Sequence, residues 1–221
     1  MRPDAISIVL AGGRGRRLGA TAPPGGKAAV QFRGRSFLEI VIAAVGAETG
    51  RVVVVAAPGQ ELPPLPADVF VVRDALPGAG PLAAVRDGLM AADRLGPGFG
   101  AAFVASCDLP LLRRTVVRAI LDRQRTQHPA WVVPLVNGHP QPLASALPFT
   151  LLPRIERHLC AGRRDLRSLL ATLAAEPTAA IDFLPAAALT AADPEGESFR
   201  DVDTAEEVAR LNEAANPPSA G

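Results

Sequence analysis

The chain has 221 residues, the length of one large domain, and by surface scaling it buries roughly 70% of its extended-chain surface, enough for a sheet covered on both faces. Its 23 Lys and Arg against 22 Asp and Glu leave a formal charge of +1, which excludes a general attraction to nucleic acid or an anionic membrane and makes any basic patch local. No apolar run approaches the roughly 18 residues of a membrane span, the start MRPDAISIVLAGG offers no signal-peptide core, and Cys107 and Cys160 are too few for a disulfide framework or zinc site, so a soluble cytoplasmic protein with two buried thiols is expected.

In chain order, AISIVLA at 5–11, VVVVAA at 52–57, DVFVV at 68–72, GAAFVASC at 100–107 and WVVPLV at 131–136 are β-rich apolar runs suited to a sheet buried on both faces. Helical patterns fall between them. Ser36 to Thr49 places Phe37, Ile40, Val41, Ala44 and Val45 on one stripe, and Pro81 to Leu95 and Arg114 to Gln127 follow. Strands alternating with helices of this length predict a doubly wound, mostly parallel sheet. The second half is less regular: a short apolar piece PLASAL, helical patterns near Phe149 to Leu159 and Asp165 to Ala175, and an Ala- and Pro-rich stretch at 185–198 that reads as a surface loop or marginal helix. A last helix, TAEEVARLNEAA, is capped by Asp203 or Thr204, and NPPSAG is a frayed tail.

The segment LAGGRGRRLG, residues 10–19, leaves the first strand at the carboxyl edge of a parallel sheet, where ligands bind. Gly12, Gly13 and Gly15 lack the Cβ atoms that would keep backbone N–H groups from phosphate oxygens, and Arg14, Arg16 and Arg17 add forked cations at the same place. The alternative is an ordinary strand-to-helix turn with solvated arginines, since neither a P-loop ending nor a dinucleotide spacing is present. Asp108 in ASCDLPLL ends another strand. A carboxylate there is a hard oxygen ligand for Mg²⁺, or else a cap for the helix that follows.

Taken together and in order across residues 6–210, these segments resemble the nucleotidyltransferases that include molybdenum cofactor guanylyltransferase. LAGGRGRRLG followed by a lysine is similar to LAGGxxxRMGxDK, CDLP to CDMP, RDALPGAGPLAAV to an aspartate-containing loop ending in GPLAGL or GPLAAI, GHPQPLASAL to HPLxAL, and FRDVDTAEEV to NINTPEDL. There is one departure. ATAPPGG, seven residues, separates Gly19 from Lys27, where the family has two, and Gly26 stands at the usual aspartate. The longer loop is either a mobile flap whose closure brings Lys27 to the phosphates or an insertion that displaces the lysine.

The resemblance implies a Rossmann-like three-layer αβα sandwich of the nucleotide-diphospho-sugar transferase type, mostly parallel with an antiparallel strand, as a single domain over residues 1–213 with a disordered tail at 214–221. It implies Mg²⁺-dependent transfer of GMP from GTP to the phosphate of molybdopterin, bare or molybdenum-loaded, with pyrophosphate released. LAGG in place of LAAG favours guanine. Leu10, Ala11, Gly12, Gly13, Gly15, Lys27, Asp74, Gly80 and Asp108 are then the nucleotide-binding residues, and Arg17, Lys27 and Asp108 the catalytic ones. Asp108 and Asp201 are the metal ligands, with Asp203 left to cap the last helix. His139, Gln141, Arg163, Arg164 and Arg167 are acceptor-binding candidates, although His139 equally suits a turn and the arginines a solvated face. Neither nucleic acid nor membrane is an expected partner; transient contact with cofactor-synthesis or acceptor proteins is, from a monomer or weak homo-oligomer. Two other readings stand beside this: a cytidylyltransferase or another NTP transferase with a phosphorylated acceptor, and a catalytically impaired nucleotide-binding accessory protein, which the loop insertion suggests.

Overall fold

The strands follow the apolar runs. In the computed structural model, which describes residues 5–12, 23–75, 78–96, 98–127, 130–176 and 181–215, β1 is Ala5–Leu10, β2 Gln31–Phe32, β3 Arg35–Ser36, β4 Val52–Ala56, β5 Val69–Arg73, β6 Ala101–Ser106, β7 Trp131–Val136, β8 His139–Pro140, β9 Ala144–Pro148 and β10 Ile181–Pro185. The helices are α1 Phe37–Thr49, α2 Pro81–Arg94, α3 Arg114–Thr126, α4 Leu152–Cys160, α5 Leu166–Ala174 and α6 Ala205–Ala215. The main sheet runs β10-β7-β9-β6-β1-β4-β5, with β8 paired to β7. β1 is parallel to β4 and β6, β4 to β5, and β7 to β10, while β9 lies antiparallel between β6 and β7. PLASAL thus supplies the antiparallel strand that the family resemblance implied.

Alternation along the strands makes two cores. Val9, Val52, Val54, Phe103 and Ala105 face α1 and α3 through Val41, Val45, Val117 and Ile120. Ile6, Ile8, Val53, Val55 and Val104 face α2, α4 and α5 through Leu82, Leu89, Ile155 and Leu170. This is the three-layer αβα sandwich. Gly88 lets α2 approach β1 closely, since a Cβ there would lie 2.5 Å from Ile8 Cγ2. A third, smaller core joins the β2–β3 hairpin to α6 through Phe32, Phe37, Val202 and Leu211.

Helix ends follow local chemistry. Ser36 caps α1 in a reciprocal pair with Glu39, and Gly50 closes it with φ of 68°. Asp165, the first residue of the predicted helical pattern, caps α5 by accepting from Ser168 N. Glu48 on α1 receives guanidinium hydrogen bonds from Arg114 and Arg118 on α3. Its carboxyl is held below the usual range although burial pushes the other way, because the Arg118 and Arg114 contacts outweigh desolvation.

Two expectations are corrected, and one strand is added. DVFVV is an edge strand, not one buried on both faces: Phe70 and Val71 are 41% and 42% exposed, because β4 covers one side and nothing among the described residues pairs with the other. Cys160, at the end of α4, is exposed, while Cys107 is buried. The 185–198 stretch holds a short 3-10 turn, Ala186–Leu189, and is preceded by β10, a further parallel strand whose mixed pattern IDFLP gives no alternation to read. No helix among the described residues is long and apolar enough to cross a membrane.

Candidate active site

The strand order reverses between β1 and β6, and the carboxyl ends of these two strands open the crevice expected at such a switch point. Cys107 N donates to Leu10 O at 3.0 Å and Ala11 N to Val55 O at 2.8 Å, so the chain leaves β1 and β6 side by side. Asp108 follows directly. Val202 N donates to the Asp108 carbonyl at 3.0 Å, which clips the segment before α6 against the end of β6. Two carboxylates distant in sequence are thereby brought to one place.

Lys27 completes that place. Its Nζ donates to Asp108 Oδ2 at 2.9 Å and to Asp203 Oδ1, with the lysine and aspartate side chains 13%, 21% and 16% exposed. One ammonium therefore bridges two part-buried carboxylates. Lys27 is carried on a 3-10 turn, Gly26–Ala29, whose approach is fixed by Gln60: its Nε2 donates to Ala11 O at 2.8 Å and to Gly25 O at 2.9 Å. Gly25 has no room for a side chain, since a Cβ would lie 2.7 Å from the Glu61 carbonyl. Both ends of the long glycine-rich loop are thus tied to one glutamine, and the seven-residue gap leaves Lys27 against its carboxylates.

The two aspartates of DVDT divide their work. Thr204 caps α6, accepting from Glu207 N while Glu207 accepts from Thr204 N, and this releases Asp203 to meet Lys27. Asp201, favoured as metal ligand in the sequence, is exposed and lines the neighbouring cleft rather than the lysine cluster. That cleft, about 500 Å³, is also lined by Asp108, His139, Gln141, Arg167 and Phe199. The acceptor candidates separate here. His139, Gln141 and Arg167 line the cleft; Arg163 does not, turning instead to Thr172 Oγ1 at 3.3 Å. Arg164 presents its carbonyl to α2, accepting from Leu82 N at 3.3 Å, and lies so near Gly80 that a Cβ on Gly80 would be 2.6 Å from it.

Asp74 closes β5, its N–H donating to Ala56 O at 2.8 Å. Leu10, Ala11 and Gly12 stand at the crevice edge, whereas Gly13, Gly15 and Arg17 lie outside the described residues. Cys107, adjacent to Asp108, is no nucleophile: burial, reinforced by the Asp108 charge and opposed by Lys27, pushes its thiol up to about 12. Sequence reasoning missed Gln60, Phe199 and the lining role of Asp165, since no short pattern marks a glutamine in a loop or a phenylalanine before DVD.

The profile of the MobA-like NTP transferase domain matches residues 7–178. The chain belongs to the MobA-like NTP transferase family. It is similar to a probable molybdenum cofactor guanylyltransferase of Mycobacterium bovis, strain BCG / Pasteur 1173P2, with 37% identity over 177 residues, 77% of this chain and 82% of the relative. A protein of the same name from Mycobacterium avium, strain 104, is 37% identical over 167 residues, 74% of this chain and 79% of the relative. Among solved structures, molybdopterin-guanine dinucleotide biosynthesis protein A from Archaeoglobus fulgidus has a TM-score of 0.74 at 21% identity, covering 95% of this chain and 98% of that one. The 2-C-methyl-D-erythritol 4-phosphate cytidylyltransferase of Thermus thermophilus reaches 0.65 at 18% identity, covering 97% and 99%. At such identities the solved structures share the fold of this MobA-like chain and do not bear on its substrates.

Proposed function

We propose that this MobA-like protein transfers GMP from GTP to the phosphate of molybdopterin, bare or molybdenum-loaded, releasing pyrophosphate. The observation that carries the reading is the Lys27–Asp108–Asp203 cluster at the carboxyl end of β6, beside a cleft of about 500 Å³. The mycobacterial relatives named for guanylyl transfer support the nucleotide and the acceptor.

Two carboxylates that share one cation are hard oxygen donors suited to Mg²⁺, which commonly takes one or two protein carboxylates and completes its shell with phosphate and water. Asp108 and Asp203 would hold the ion; Asp201, at the cleft wall, is the alternative second ligand. When bound, Mg²⁺ neutralises charge on the phosphates and on the leaving pyrophosphate. Lys27, on its anchored turn, is the residue that exchanges carboxylate partners for phosphate oxygens when a triphosphate enters. The family resemblance adds the glycine-rich loop and Arg17, which lie outside the described residues, as further phosphate-holding groups. An acceptor phosphate is already ionised at neutral pH, so the residues need only hold it in line with the α-phosphorus, and His139 is not required as a base. Gln141 and Arg167 on the cleft wall orient the acceptor.

Asp108→Asn tests this. Pyrophosphate release from GTP with molybdopterin should fall at least a hundredfold, on the order of 3 kcal/mol of transition-state stabilisation, with the thermal unfolding profile preserved. Unchanged turnover would refute the assignment. CTP in place of GTP tests the second reading, a cytidylyltransferase: equal release with both nucleotides would leave the base unassigned to guanine.

A further inference from the structure

A second cleft, about 190 Å³, lies between α4 and α5 and shares no lining residue with the crevice. Its walls include Arg154, Arg157, His158, Arg163, Thr172 and Glu176. Glu176 pairs with Arg154. Among the described residues, neither Arg157 nor Arg163 has a carboxylate within ion-pair distance, and Arg163 Nη1 reaches only the neutral Thr172 Oγ1 at 3.3 Å. Below them His158, 5% exposed, shares a hydrogen bond of 2.8 Å with Ser168 Oγ. Thr172 donates its own proton to Ser168 O at 2.9 Å, so its lone pairs face the guanidinium.

Three guanidinium groups around one small cavity repel one another, and one carboxylate answers only one of them. Asp165 acts on His158 from the same side but forms no ion pair with Arg157 or Arg163, and these two guanidinium groups suit an anionic ligand. Forked guanidinium donors fit the tetrahedral faces of a phosphate, and such contacts are the strong, charge-assisted kind. The cavity, some six times the roughly 30 Å³ of a liquid water, has room for one or two phosphorus centres. We infer that this cleft binds a small free phosphate species, held by Arg157 and Arg163 with Arg154 in support, at a site separate from the transfer crevice.

The test uses the full chain titrated with inorganic phosphate, then with pyrophosphate, at constant ionic strength against sodium chloride. The readouts are the His158 ring resonances by NMR and the melting temperature. A saturable response with Kd of millimolar order is expected, weakened at least tenfold in the R157A/R163A variant and unchanged in D108N. Because both arginines are exposed, the variant should keep the native circular dichroism spectrum; R163K, which keeps the charge and loses the fork, should bind at an intermediate level. Which of the two phosphates saturates at lower concentration identifies the occupant. Absence of saturation with either, retention in R157A/R163A, equal loss in D108N, or binding of polyglutamate without phosphate would each overturn the inference.

Discussion

Lys27→Met removes the cation between two carboxylates while keeping most of the side-chain volume. In the native protein Lys27 Nζ lies 2.9 Å from Asp108 Oδ2 and also contacts Asp203 Oδ1. Without it, two carboxylates within reach of one ammonium face each other, and like charges about 5 Å apart at an effective dielectric of about 20 repel by roughly 3 kcal/mol. The aspartates are 21% and 16% exposed, so water screens part of this, and a loss of about 1–3 kcal/mol is expected, between the values for exposed and fully buried pairs. The assay is urea unfolding at low ionic strength with a chelator present. Adding Asp108→Asn to the Lys27→Met variant should recover most of the loss, since a neutral amide ends the repulsion. Mg²⁺ at about tenfold its Kd should restore about 1.4 kcal/mol by mass action. Equal stability of native and Lys27→Met protein would refute the electrostatic reasoning, and a loss that Mg²⁺ leaves untouched would refute the two aspartates as a metal-holding pair.

Gly88→Ala should destabilise the fold by about 1–3 kcal/mol, the usual cost of overpacking, because its Cβ would press on Ile8 Cγ2 at 2.5 Å; calorimetry showing an unchanged melting temperature would deny the close contact of α2 with β1. His158 is held below its ordinary value of 6.5 by burial and then by the Arg163 guanidinium, against the pull of Asp165. The unfolded chain therefore takes up this proton at higher pH than the folded one, so the stability it contributes is complete above about 6.5 and declines as pH falls toward the folded value. His158→Gln should show a flatter decline in urea midpoint between about pH 7 and 5, and parallel slopes would exclude the effect.

Much of the sheet was legible because parallel central strands are buried on both faces and read as uninterrupted apolar runs. AISIVL, VVVVA and AAFVAS fall on β1, β4 and β6. At the margins the same rule failed: DVFVV has that composition but lies at an edge, and IDFLP on the opposite edge has no period at all. Asp108 was legible from its place after a strand and before a proline. The choice between Asp201 and Asp203 was not, because it turns on which residue caps α6, and a Thr-Ala-Glu-Glu start and an Asp-Thr start are equally good caps in one dimension. Thr204 takes the cap through Glu207, and Asp203 goes to Lys27.

The layered α/β class, the switch-point crevice and the residue types at its rim can be read along the chain, since they follow from local periodicity and from where glycines and carboxylates fall relative to strand ends. It takes the folded chain to show that Lys27, after a longer loop than the family pattern carries, still meets Asp108 and Asp203. That outcome depends on contacts among Ala11, Gly25, Gln60 and Glu61, and on Val202 clipped to Asp108. Such contacts join segments as many as 94 residues apart, and no local pattern encodes them. The basic run after Cys160 was divided in the same way: Arg167 was turned to the crevice and Arg163 to the second cleft, because packing α5 against α4 and the start of α2 fixes which side each arginine faces.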